Sequence, residues 1–256
     1  MRNVKVIFDM EKRIAEVVLD KQPLNICDTA YYKEIAEAFY KVDETEGLCA
    51  VILRSACKHF SAGGSLEEIQ QCTSWENIEV IGGACVSCME AIYNCKYPVI
   101  GAIHGKAIGA GCAMAACCDI TIAAEDTTFS LPEITAGYIG ASEFLQMILP
   151  RRLARYYVYT GDEITAGQMK AWGGIFDVVP REVLLERALE IAEKLQEKSP
   201  LALSYFKAAM NENDNERLRE KYMHESTYTL KYSTSQDFKE TYQAFKERRK
   251  PDYVGK

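Results

Sequence analysis

Apolar and polar positions change rhythm several times along this chain, and each change marks an element. Residues 4–8 and 13–19 are two apolar-rich runs around the polar turn Asp9-Met10-Glu11-Lys12, which predicts a β-hairpin. Ile35, Ala38, Phe39 and Val42 then recur at helical spacing behind Asp28, so a helix capped by Asp28 is expected to run to about Asp43. A continuous apolar run at 49–54 reads as a buried strand. Glu67 and Glu68 open a short helix, where acidic residues suit the positive N-terminus. Residues 75–93 are helical in pattern, weakened locally by Gly82-Gly83, and Lys96-Tyr97-Pro98 ends that helix. Residues 98–103 and 120–124 are two further strand-like runs.

Beyond Pro180 the alternation of strands and helices stops, and only helical patterns follow, at 182–198, 200–213, 216–231 and 236–248. The expected organisation is an α/β core over residues 1–180, one face of its sheet covered by helices, and a helical C-terminal region over 181–256.

Composition narrows the function. The 256 residues are 48% hydrophobic and 26% charged, ordinary for a globular protein, and the formal charge of −7 disfavours nucleic acid as the main partner. No apolar run nears the ~20 residues of a membrane span, and the N-terminus enters a strand rather than a signal-like segment, so no membrane partner and a cytoplasmic location are expected. All ten cysteines fall between Cys27 and Cys118, scattered through predicted elements, which suits free buried thiols in a reducing or anaerobic cell. Cys85-x-x-Cys88 lacks the second pair that a zinc site needs, and no metal site is expected.

Two glycine-rich turns carry the candidate chemistry. The run 98–103 breaks at His104-Gly105 and enters Gly109-Ala110-Gly111, and upstream the strand at 49–54 enters Phe60-Ser61-Ala62-Gly63-Gly64. Small residues let backbone approach backbone or ligand and leave amide N–H groups bare. Two such turns could each give one N–H to a single oxygen, the arrangement that stabilises an enolate or tetrahedral oxyanion.

The order of these motifs, with Cys118-Asp119, Phe129, Pro132-Glu133-Ile134 and Gly137 after them, resembles the crotonase superfamily of enoyl-CoA hydratases and isomerases over nearly the whole chain. Asn25-Ile26-Cys27-Asp28 and Gly64-Ser65-Leu66-Glu67-Glu68 resemble, within it, the cyclohexa-1,5-diene-1-carbonyl-CoA hydratases. The resemblance implies a crotonase-like spiral of ββα units with C-terminal helices that drive assembly into a homotrimer or a dimer of trimers. Tyr222, Tyr228, Leu230, Tyr232, Phe238, Tyr242 and Phe245 would then be partly buried between subunits.

It also implies an acyl-CoA thioester as substrate, with coenzyme A arriving on it and no separate cofactor. The thioester oxygen would meet the N–H groups of Gly64 and Ala110, the latter tolerable as alanine if its φ stays negative. Glu133 matches one of the two hydratase glutamates, its pKa tuned by burial among Ile134, Ile139 and Phe144; the other position holds Ala113, which transfers no proton. Glu143 is the reserve acid, or else a cap near Ser142. Ala62, Gly63, Gly109 and Ala141 would line the substrate path, Tyr138 would bond a polar substrate group or stand half-buried, and Lys21 would contact CoA phosphate or remain solvated. The implied activity is hydration or isomerisation of an enoyl- or dienoyl-CoA with a single Glu as acid/base. Decarboxylation of an acyl-CoA, or CoA-thioester binding without catalysis, is the alternative.

Overall fold

The computed structural model describes residues 1–256. In chain order the elements are β1 (Val4–Asp9), β2 (Ile14–Leu19), α1 (Thr29–Asp43), β3 (Ala50–Ser55), α2 (Leu66–Ile69), α3 (Trp75–Tyr93), β4 (Val99–Ile103), β5 (Lys106–Ile108), α4 (Ala110–Ala116), β6 (Ile120–Ala124) and β7 (Thr128–Ser130). After these come α5 (Glu133–Ala136), α6 (Ser142–Ile148), α7 (Arg151–Thr160), β8 (Ile164–Thr165), α8 (Ala166–Ala171), β9 (Asp177–Val179), α9 (Leu184–Gln196), α10 (Pro200–Asp214), α11 (Leu218–Ser233) and α12 (Gln236–Glu247).

Six strands form one sheet in the order β1-β2-β3-β4-β6-β9, antiparallel only at the opening hairpin, and β5-β7-β8 form a second. The expected helix at Asp28 is in place, with the Asp28 carboxylate accepting from the Tyr31 N–H at 2.8 Å. β3, β4 and β6 are apolar throughout because both faces of the large sheet are covered. Val51, Leu53 and Val99 belong to the main core with α1 and α3, whereas Ile52, Ile100 and Ile122 turn the other way and meet Leu184, Ala188 and Ile191 of α9. The expectation of helices on one face is thus corrected: α9 covers the second.

Cys118-Asp119 locks the strands to α10. Asp119 accepts from the Val99 N–H at 2.6 Å and from the buried Lys207 ammonium at 2.7 Å, while Lys207 also reaches the Tyr97 carbonyl at 3.2 Å. Cys118 Sγ fills the space beside Gly101, where a Cβ would stand 2.9 Å away.

Gly82 does not break α3. A Cβ there would lie 3.1 Å from Tyr222 Cε1, so the glycine makes room for α11, which lies along α3. Tyr222 is accordingly buried within its own chain, which corrects its expected place between subunits, while Tyr228, Tyr242 and Phe245 remain exposed together with Tyr205 and Phe206 of α10.

Lys207 is buried and Asp119 partly exposed, so removing Asp119 leaves a buried ammonium without its anion, at a cost of about 1–3 kcal/mol. Asp119→Ala is therefore expected to lower chemical-denaturation stability by an amount near that range, and Asp119→Ala/Lys207→Met to recover part of it. Equal losses in the single and double variants would show that Lys207 does not depend on Asp119.

Candidate active site

The first glycine turn is held by an almost complete set of backbone hydrogen bonds. Phe60, Ser61 and Ala62 donate to the carbonyls of His104, Lys106 and Leu24, Gly63 donates to Ser61 Oγ, and Ser65 donates to the Cys27 carbonyl. Only the Gly64 N–H in this run is without a protein acceptor. Asn25 straps the turn from behind: its side chain donates to the Phe60 carbonyl at 2.9 Å and to Ser55 Oγ at 2.8 Å, and its carbonyl accepts from Ser61 Oγ at 2.8 Å.

The second turn lies against the first. Ile108 donates to the Ser61 carbonyl at 3.0 Å and Gly109 to the Ser130 carbonyl at 2.8 Å, so α4 begins with the Ala110 N–H free. Ala110 does not need a positive φ, and that strain falls on Gly109 at +51°. A Cβ on Gly111 would lie 2.9 Å from Ser61 Cβ, and one on Gly109 would lie 2.7 Å from Glu133 Oε1. Glycine at 111 is what lets the turns touch, and glycine at 109 leaves room for the Glu133 carboxyl.

Gly64, Ala110, Ala113, Glu133, Tyr138 and Ala141 all line one cavity of about 50 Å³. Six of the residues singled out in the sequence are thus brought together. Ala62, Gly63 and Gly109 stand behind that wall as backbone supports. Lys21 does not line it; its partly exposed ammonium is bonded to Asp28 at 2.5 Å and lies over the Tyr31 ring.

Glu133 opens α5 beside Gly109. Part of its stem is exposed, but Oε2 is buried with no hydrogen-bond partner, and burial, with a smaller push from Glu225, raises its pKa to about 8. Ile134 and Ile139 are exposed, so the expected apolar jacket is corrected: of the three residues named for it, only Phe144 lines the cavity. A carboxyl with a pKa near neutrality can both take and return a proton.

Glu143 is 3% exposed, with both oxygens unpaired, and does not line the cavity. It does not cap α6 either, since that helix starts at Ala141, whose φ is +66°, without a side-chain cap. Burial first and then Glu225 raise its pKa to about 9. Tyr138 is buried rather than half-buried, and its hydroxyl donates to that of Tyr222 at 3.0 Å. Tyr32, Cys85 and Tyr222 also line the cavity and were not singled out as site residues. Their helical spacing marks them as buried, but nothing in the pattern says against what.

The profile described as enoyl-CoA hydratase/isomerase matches residues 9–256. Among similar proteins, a (7aS)-7a-methyl-1,5-dioxo-2,3,5,6,7,7a-hexahydro-1H-indene-carboxyl-CoA hydrolase of Rhodococcus jostii is 30% identical over 85% of this chain and 84% of its own. A crotonyl-CoA hydratase of Syntrophomonas wolfei is 30% identical over 98% of each chain. The crystal structure of an enoyl-CoA hydratase from Bacillus anthracis superposes with a TM-score of 0.76 at 29% identity, covering 99% of this chain and 100% of that one.

Glu133 titrates at about 8 in the folded chain against an ordinary 4.5. The folded state therefore holds a proton that the unfolded state releases, and stability falls as pH rises from about 4.5 through about 8. Glu133→Gln removes this dependence. The variant is expected to match the parent at pH 5 and to exceed it increasingly towards pH 8.5 in urea unfolding; a constant difference across that window would mean that Glu133 is charged throughout.

Proposed function

The chain belongs to the enoyl-CoA hydratase/isomerase family, and on that premise we propose that it hydrates or isomerises an enoyl- or dienoyl-CoA thioester with Glu133 as its single acid/base. The observation that carries this reading is the sharing of one cavity by an unpartnered buried carboxyl and two unbonded backbone N–H groups. In it, the thioester oxygen sits between the N–H groups of Gly64 and Ala110. Removal of a proton from the acyl chain, or attack of water on its double bond, then places negative charge on that oxygen, where each donor contributes about 3–4 kcal/mol in comparable sites. In isomerisation Glu133 takes the proton from one carbon and delivers it to another, or to and from the far carbon of a conjugated diene; in hydration it takes the proton of the attacking water and delivers it to the carbon on which the enolate charge collapses.

Ala113, small and buried opposite this group, leaves no second acid in the place where a two-glutamate hydratase would need one. That absence also suits decarboxylation of a carboxy-acyl-CoA, in which loss of carbon dioxide forms the enolate and no base is required. Glu133 could protonate that enolate, so both readings use the same donors and acid and they part at the product: hydration adds water and isomerisation leaves the mass unchanged, whereas decarboxylation loses carbon dioxide. Coenzyme A enters as part of the substrate. The exposed Tyr205, Phe206, Tyr242 and Phe245 support assembly through the C-terminal helices as a trimer or a dimer of trimers.

Glu133→Gln is nearly isosteric and cannot exchange a proton. It is expected to lower turnover at least ~100-fold, the range of acid–base catalysis, with CoA-ester affinity retained in calorimetry. Full activity would remove Glu133 from the chemistry, and a larger loss in Glu143→Gln would transfer the role.

Ala113→Glu asks whether the missing acid is a loss or a specialisation. In a cavity this small the added side chain overpacks the space that the acyl group needs, and the native reaction is expected to disappear. A gain of crotonyl-CoA hydration, followed by mass spectrometry as the addition of water, would instead mark the site as a simple hydratase lacking one residue.

A further inference from the structure

One side of the cavity is built from hydroxyl groups. Tyr32 is 4% exposed and lines the cavity, and a Cβ on Gly64 would stand 3.3 Å from its hydroxyl, so this group lies beside the free Gly64 N–H. No nitrogen or oxygen of the protein accepts its proton. Tyr222, also 4% exposed, accepts from the Tyr138 hydroxyl at 3.0 Å and keeps its own proton to donate, while Tyr138 is also 3.4 Å from Ser226 Oγ. Cys85 lines the cavity with both tyrosines, and its thiol is only a weak acceptor.

Two O–H donors thus line a small cavity without a protein oxygen or nitrogen to receive them. A ligand that closes off such a hydroxyl without accepting from it loses affinity, whereas against a phenylalanine of the same shape it would not. A straight hydrocarbon acyl chain would leave both donors unpaired. The charged groups around the cavity decide the sign of the missing partner: Glu68 and Glu133 line it and no lysine or arginine does, so a carboxylate would meet no cation there.

Resting on the reading that this cavity takes the acyl part of a CoA thioester, we propose that the acyl group carries a ketone oxygen beyond the thioester, received by the hydroxyls of Tyr32 and Tyr222. A carbonyl oxygen has two lone pairs and no proton, so it can receive two donors from the lining of one cavity. The two tyrosines then set specificity, separately from the Gly64 and Ala110 N–H groups that hold the thioester. A site with donors of this kind discriminates against an analogue that lacks the oxygen, because its own polar groups are then stranded.

Saturated esters test this without turnover. Isothermal titration of the intact protein would compare hexanoyl-CoA with a set of oxohexanoyl-CoA esters bearing the ketone at successive carbons. At least one oxo ester is expected to bind about tenfold more tightly or better, the worth of one or two neutral hydrogen bonds. Tyr32→Phe and Tyr222→Phe should each remove most of that preference and leave hexanoyl-CoA affinity within about threefold. The proposal is overturned if no oxo ester outbinds hexanoyl-CoA, or if the variants weaken both kinds of ester alike, as a purely structural role would. If no ester binds at all, the acyl-CoA reading fails and takes this proposal with it.

Discussion

Backbone meets backbone where the turn at 60–64 crosses the start of α4, and that contact admits nothing larger than hydrogen at Gly111. The rest of the site follows from it. Ser61 bridges to Ala107 of β5, which fixes the height of α4 over the first turn. Nearly every amide in the turn is then used to hold it in place, and the two left over, on Gly64 and Ala110, face one cavity. Donors fixed in this way need no reorganisation when charge develops on an oxygen between them, which is why such pairs are effective.

The same crowding governs Glu133. Its carboxyl lies against Gly109, where any side chain would displace it, and the space it occupies is closed from above by Tyr138 and Tyr222. Removing a carboxyl from water without giving it a partner disfavours its charged form, and stability is given up to hold its pKa near neutrality. α11 completes that enclosure, and it comes close only because Gly82 leaves room for the Tyr222 ring. A helix from the C-terminal third thereby becomes a wall of the site, joined to α5 and α6 by Thr229 and Glu225, which bond the backbone at Ile139 and Ser142.

Much of this was legible in the chain. Asp28, the apolar stripe from Ile35 to Val42 and the limits of α3 follow from local rules of capping and periodicity, and the structure holds them. The two glycine turns announced a close approach, since no other residue type tolerates one, and motif order then located Gly64, Ala110, Ala113 and Glu133. What local rules cannot express is which distant face covers an element. Ile52 and Val51 read alike although they face opposite cores, so α9 on the second face went unseen. Tyr222 reads as a subunit contact for the same reason, and Ile134 and Ile139, apolar in sequence near Glu133, are exposed.

The central claim is that two backbone donors and one buried carboxyl together make the α-carbon of a bound thioester acidic. Exchange in deuterium oxide tests it most directly: hexanoyl-CoA is incubated with the protein and deuterium at the carbon next to the thioester is followed by mass spectrometry. The account predicts incorporation with the parent protein and its loss by at least ~100-fold in Glu133→Gln. Undiminished exchange in that variant, or binding of the ester with no exchange in the parent, would contradict it.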